Sequence, residues 1–264
     1  MIEVRDLSAA HGKQAVFNNL NVRVSEGDFV CLLGPNGCGK TTLLRTLLGL
    51  HPKTSGQVLL RGSDRAALSA KQQARLISYV PQYHRTAFGY PVIDMVLMGV
   101  MAAYSEWAVP TGEHKDLALA ALTQMNIAHL KDRPYTELSG GQRQLVLIAR
   151  ALAQDTPYLF MDEPTNGLDY GNQIKLLERI RDLADHKRCI VMTTHHPEQA
   201  MMVANRVLTM QNGALLQDGV PSEVITKTKM AQLYDLALHQ IPKFSFNHDG
   251  LNFRQKRHGF GWAK

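Results

Sequence analysis

The apolar positions of this chain change rhythm along its length. Ile2-Glu3-Val4-Arg5 and Leu20-Asn21-Val22-Arg23-Val24 alternate apolar and polar, the mark of half-buried strands. After the turn Glu26-Gly27-Asp28, Phe29-Val30-Cys31-Leu32-Leu33 is an unbroken apolar run, suited to a fully buried strand. Tyr158-Leu159-Phe160-Met161 and Ile190-Val191-Met192-Thr193 repeat that type. Gly56 to Gly62 reads as a strand bounded by glycines, and Ile77 to Pro81 as one stopped by proline. Thr42 to Leu48 and Asn172 to Ala184 read as helices.

Residues from about 86 to 155 have a different character. Apolar residues recur at helical spacing, as in Val92, Met95 and Val96, then Leu117, Ala120, Ala121 and Met125. This predicts a mostly helical insertion between the strand ending near Pro81 and the one starting at Tyr158. Val207 to Met210 and Ala214 to Gln217 flank Gln211-Asn212-Gly213, and Asn-Gly between apolar runs signals a hairpin. No internal repeat or low-complexity segment interrupts this order.

Composition narrows the picture. A length of 264 residues permits one large α/β domain with a subdomain, and 45% hydrophobic content is ordinary for a globular protein. No apolar run approaches the ~18 residues that span a bilayer. The first residues carry acids early and lack the apolar core of a signal peptide, which predicts a cytosolic chain. Cys31, Cys38 and Cys189 are widely spaced and show no metal-ligand pattern. The formal charge is +6. From Lys243 onward five Lys/Arg face one acid, Asp249, so the last residues form a basic tail that also carries Phe244, Phe246, Phe253, Phe260 and Trp262. Such a tail suits either an anionic surface or a solvated terminus. No aromatic–basic groove pattern argues for nucleic acid.

The candidate chemistry starts at Gly34-Pro35-Asn36-Gly37-Cys38-Gly39-Lys40-Thr41, which fits the phosphate-loop pattern G-x-x-x-x-G-K-[ST] between a strand and a helix. Glycines let backbone N–H groups converge on phosphates, and the following helix adds its positive end. Lys40 is placed to reach the β- and γ-phosphates and the Thr41 hydroxyl to hold Mg²⁺. Cys38 lies inside this loop, so a thiol reagent is expected to block it. Asp162 closes the apolar strand Tyr158–Met161, where α/β sheets bind ligands, and is the candidate Mg²⁺ acid. Glu163 beside it is the candidate general base that orients the attacking water.

Leu138-Ser139-Gly140-Gly141-Gln142 brings in a family. With it, the chain resembles the ATP-binding subunits of ABC transporters over about residues 1–225. The resemblance implies an α/β fold: a P-loop NTPase core with a RecA-like mixed sheet, an N-terminal antiparallel β subdomain and the inserted helical subdomain near 86–155. One ATP-binding domain then covers 1–240, followed by the tail over 241–264. It further implies that Ser139, Gly140, Gly141 and Gln142 face the γ-phosphate held by a second copy, so a homodimer sandwiches two ATPs, each with Mg²⁺. Gln82 matches the glutamine that contacts Mg²⁺ and water and senses the membrane partner. Asp169 matches the recurring acid after Asn166-Gly167-Leu168, where the family more often has Ser-Ala before Leu-Asp. His195 matches the switch histidine, with His196 where an Asp is usual. His11 takes the place of the aromatic residue that stacks on adenine, with Val16 and Phe17 nearby as the alternative apolar contact, and Thr42 closes the phosphate loop.

Within the family, the chain is most similar to importers of metal chelates and related cargo: iron–siderophore, haem, cobalamin and molybdate systems. The carrying segments are Ile77 to Gln82, Val92 to Gly99 and Tyr135 to Gln144, with Phe88-Gly89-Tyr90-Pro91 and Thr193 to Pro197 nearest the molybdate branch. This implies two transmembrane permease subunits fed by a periplasmic binding protein, with the chain peripheral on the cytoplasmic face of the inner membrane. Residues around 83–105 are then expected to contact the permease. An exporter subunit or a soluble ATPase of iron–sulfur assembly shares the same core motifs. Translation and DNA-repair members normally carry two cassettes or a long coiled coil, and this chain has neither.

Overall fold

A computed structural model describes residues 1–82, 88–104, 108–184, 188–242 and 244. Two sheets organise them. The first is antiparallel, in the order β2-β1-β4-β5, from β1 (Ile2–His11), β2 (Gln14–Val24), β4 (Lys53–Leu60) and the short β5 (Ser63–Asp64). The second has the order β10-β9-β3-β8-β7-β6. It contains β3 (Phe29–Leu33), β6 (Ile77–Val80), β7 (Tyr158–Asp162), β8 (Cys189–Thr194), β9 (Arg206–Gln211) and β10 (Ala214–Gly219). All its pairings are parallel except the β9–β10 hairpin, so the fold is mixed α/β.

Side-chain alternation along the buried strands builds two cores. Val30, Leu32, Tyr158, Phe160, Cys189 and Val191 face the first sheet and Leu43, Leu44 and Leu47 of α1 (Lys40–Leu48). Phe29, Cys31, Leu33, Leu159, Met161, Ile190 and Met192 face the other way, toward the remaining helices. Those are α3 (Val92–Met101), α4 (Gly112–Gln124), α5 (Gly140–Ala153), α6 (Tyr170–Asp182), α7 (Pro197–Val203), α8 (Pro221–Val224) and α9 (Lys227–Tyr234). The small α2 (Ala70–Ala74) precedes β6. Helices α3, α4 and α5 pack on one another. Gly99 lets α3 approach α5 closely, since a Cβ there would lie 2.0 Å from the Arg150 carbonyl oxygen.

Two strands run beyond the alternating stretch visible in sequence. β1 extends to His11 because register shifts between Val4 and Leu7, with Asp6 at φ 47°, return Leu7 and Ala9 to the core face. β4 starts three residues before Gly56, which is inside the strand and not at its boundary. Its φ is 82°, and a Cβ would meet the Asp6 and Arg5 carbonyl oxygens at 2.4 and 2.5 Å. The β9–β10 hairpin turns at Asn212 and Gly213, φ 48° and 76°, the geometry that favours Asn-Gly. Beyond Ile241, Pro242 and Phe244, the basic aromatic tail lies outside the described residues.

Candidate active site

The parallel sheet fixes this site by register. Pairing of β3 with β8 sets Leu33 beside Thr194, and pairing of β7 with β8 sets Asp162 beside Thr193. β6 ends beside β7, which delivers Gln82 to the same edge. The segment Gly34–Gly39 leaves β3 there and turns into α1, with Gly37 at φ 77° and Gly39 at φ 110°. Four strand ends thus meet where open α/β sheets place ligands.

A cavity of about 860 Å³ opens at this edge. Asn36, Gly37, Cys38, Gly39, Lys40, Thr41 and Thr42 form one wall, and Gln82, Glu163, Asn166 and His195 another. His11 and Gln14–Val16 of the first sheet, with Asn212 and Gly213, close the side. Glu163 stands at the centre with φ 43°, and an ordinary residue held in the left-handed region stores strain. Its Oε2 accepts from Gln82 Nε2 at 3.0 Å, and its Oε1 lies 3.2 Å from His195 Nδ1 and 3.9 Å from Lys40 Nζ. Lys40 Nζ also donates to the Gly34 and Pro35 carbonyls at 2.7 and 2.9 Å.

Asp162 is fully buried beneath Glu163. Thr41 Oγ1 and Thr193 Oγ1 both donate to its Oδ1, at 3.0 and 2.7 Å, while Oδ2 has no hydrogen-bond partner. Burial pushes its carboxyl above the usual range; the two hydroxyls oppose this and the Glu163 charge adds to it. An orphaned carboxylate oxygen beside a hydroxyl, under a phosphate loop, suits Mg²⁺, which takes one or two carboxylates plus substrate oxygens. Among the described residues no group of three or more His, Cys, Asp or Glu is arranged to hold a metal ion, so a protein-only metal cage is not what this set offers.

Other predicted residues stand differently. His11 is exposed at the cavity mouth, its Nε2 3.2 Å from Thr42 Oγ1 and its ring edge-on to His51 at 4.6 Å. Pro35 and Gly34 shape the loop behind the lining residues, and a Cβ on Gly34 would lie 2.1 Å from the Met210 carbonyl oxygen. Ser139, Gly140, Gly141 and Gln142 do not line the cavity. Ser139 instead caps α5: Gln142 N–H donates to its Oγ at 3.2 Å, and the Gln142 side-chain oxygen accepts from Ser139 N–H at 3.1 Å. Asp169 caps α6 by accepting from Asn172 N–H at 2.9 Å, and that bond draws its carboxyl below the usual range. The structure therefore gathers the loop, Gln82, Glu163, Asp162 and His195, and leaves the Ser139 and Asp169 helix starts outside the cavity lining.

The expectation for Cys38 is corrected. Its side chain is 6% exposed and burial raises its thiol, so it is a poor target for thiol reagents. Three contributors lie in segments visible in sequence but were not assigned to the site there. Thr193 bonds Asp162 and also accepts from Glu163 N–H at 2.9 Å. Gly213 N–H donates to Cys38 O at 3.1 Å, tying the hairpin to the loop. Asn166 enters the cavity wall from the turn after β7.

A second cleft of about 380 Å³ lies between the end of α1 and helices α3 and α5, with Leu48, Leu50, Ile77, Met98 and Arg150 in its lining. Residues 83–87 and 105 of the predicted permease contact lie outside the described residues. Among the described residues no helix is long and apolar enough to cross a membrane.

The family model described as "ABC transporter" matches residues 17–166. An ABC transporter ATP-binding protein of Haemophilus influenzae, without an assigned cargo, is 38% identical over 94% of this chain and 94% of its own length. The molybdate import ATP-binding protein MolC of the same organism is 37% identical over 85% of this chain and 84% of its own. A chain from an inward-facing metal-chelate type ABC transporter superposes with a TM-score of 0.78 at 35% identity, covering 89% of this chain and 88% of that one.

Proposed function

The chain belongs to the ABC transporter family, and we propose that it is the ATP-hydrolysing subunit of an importer for a metal chelate or oxyanion. The observation that carries this reading is the convergence of the phosphate loop, Gln82, Glu163 and His195 on one cavity above Asp162. The relatives that handle molybdate and a metal chelate support the cargo class.

In this reading the loop N–H groups and Lys40 bind the triphosphate, with His11 at the adenine end. Thr41 and Asp162 would hold Mg²⁺, aided by Gln82, and the cation when bound supplies charge neutralisation at the β- and γ-phosphate oxygens. Glu163 takes the proton of the attacking water, held in orientation by Gln82 on one oxygen and His195 near the other. Ser139 and Gly140 sit exposed and Gly141 half-buried at the start of α5, an N-terminus able to meet an anion from outside the chain. A second copy supplies that anion, so binding of two ATPs closes a homodimer across these faces, with Gln142 and Asp169 at the seam. Hydrolysis reopens it. The apolar cleft beside α3, with the desolvated guanidinium of Arg150 in its wall, is the contact for each of two permease subunits. A periplasmic binding protein delivers the cargo to them, and the chain rests on the cytoplasmic face of the inner membrane. The ATP-binding domain spans 1–240, and the segment 86–155 carries the start of α5 and the α3 and α5 side of the permease contact.

Glu163→Gln tests the mechanism. It keeps the side-chain size and removes the base, so turnover should fall by at least about a hundredfold while ATP-dependent dimers persist in size-exclusion runs. Turnover near that of the unmodified chain would refute the role of Glu163. Ligand-stimulated ATPase of the complex reconstituted with permease and binding protein, compared across iron chelates, cobalamin and molybdate, tests the cargo.

A further inference from the structure

Helix α9 is tied to the active site through its last turn. Tyr234 donates its phenol hydrogen to the backbone carbonyl of His195, Oη to O 2.8 Å. That carbonyl lies outside the ladder of α7, which begins one residue later with Gln199 and Ala200 bonding His196 O. The α9 backbone is fastened as well. Gln211 Nε2 donates to the Gln232 and Leu233 carbonyls at 3.2 and 3.0 Å. Gln211 directly precedes Asn212-Gly213, the hairpin turn that lines the cavity and bonds Cys38 O. The helix itself is anchored in the core by Met230 and Leu233, 1% and 2% exposed.

The chemistry of this contact is one-sided. Burial lifts the Tyr234 phenol above its ordinary range, so it stays a neutral donor throughout the physiological span. His195 follows β8 directly, and its imidazole reaches Glu163 only if the backbone after Thr194 keeps its course. That course is also held by His196 N–H to Thr194 Oγ1 at 3.1 Å and by Gly34 N–H to the Thr194 carbonyl at 3.4 Å; the Tyr234 bond acts on the His195 carbonyl itself and comes from α9.

We infer that Tyr234 is a positioning residue for hydrolysis, holding the His195 backbone so that its imidazole stays opposite Glu163. The inference rests on the role proposed for His195. It gives the C-terminal helix a part in turnover without any contact with the nucleotide.

The test is steady-state ATPase of the full-length chain carrying Tyr234→Phe, which removes one hydroxyl and keeps the ring. Loss of one buried hydrogen bond that acts on the transition state predicts a fall in kcat of about three- to tenfold. KM should stay within about twofold and the thermal midpoint within about 3 °C of the unmodified chain. An unchanged kcat overturns the inference. So does a loss of activity accompanied by a rise in KM or a larger drop in thermal midpoint, which marks a merely structural residue. His195→Ala is measured beside it. If that variant turns over at the normal rate, the reading of His195 itself is wrong and this inference goes with it. If His195→Ala is inactive and Tyr234→Phe is normal, only the inference fails.

Discussion

Gly99→Ala offers a stringent test of how the helical layer is assembled. The added Cβ would lie 2.0 Å from the Arg150 carbonyl oxygen, where ordinary contact begins near 3.4 Å. Backbone cannot rotate away as a flexible side chain can, so α3 must retreat from α5 by about 1.4 Å. Val92, Met95, Val96 and Val100, all 5% exposed or less, would lose close packing along with it. Overpacking of this kind costs up to about 3 kcal/mol, and Ala returns about 1 kcal/mol of helix propensity. The net of about 2 kcal/mol corresponds to a fall in thermal midpoint of about 4–8 °C for a chain of this size. Gly112→Ala is the internal control. It opens α4, and its Cβ would meet nothing within 4 Å, so it should be neutral or slightly stabilising. Scanning calorimetry on both variants measures the difference. A Gly99→Ala chain as stable as the Gly112→Ala chain would refute the close-approach argument.

Two further outcomes are expected. Asp162→Asn should raise thermal stability at neutral pH while removing Mg²⁺-supported turnover. The folded-state carboxyl is raised by burial, so its favourable contribution is present at acid pH and lost as pH rises through the folded pKa. The gain in midpoint should therefore shrink as pH falls toward about 4, and a variant less stable at pH 7 would contradict the account. In the native chain Cys31, Cys38 and Cys189, all buried, should react with a thiol reagent at pH 7 only after unfolding. Burial holds the Cys189 thiol up at about 12, and rapid labelling of any of the three before unfolding would count against this packing.

The parts of the fold that were legible in sequence are those whose pattern is local. Phe29–Leu33 followed by the loop and Thr42–Leu48 announces a strand, a phosphate nest and a helix within twenty residues, because each needs only its neighbours in the chain. The run ending at Asp162 works the same way: an apolar strand has to surface at its tip, and an acid there faces the sheet edge. The bulge at Asp6 and the inner position of Gly56 were hidden, since each exists only to fit the other strand. β1 consequently looked shorter than it is.

Residue type and spacing along the chain thus determined which groups could handle a phosphate. Tertiary structure decided which of them meet. Sheet register set Thr193 against Asp162, a contact between residues 31 apart that no spacing rule anticipates. It brought the Asn212-Gly213 turn against the loop, and Tyr234 against His195 across 39 residues. It also left Ser139 and Asp169 off the cavity lining, each capping its own helix. A motif specifies chemistry through a few adjacent atoms, whereas a site depends on strand order and helix packing, which arise only when distant segments share one core.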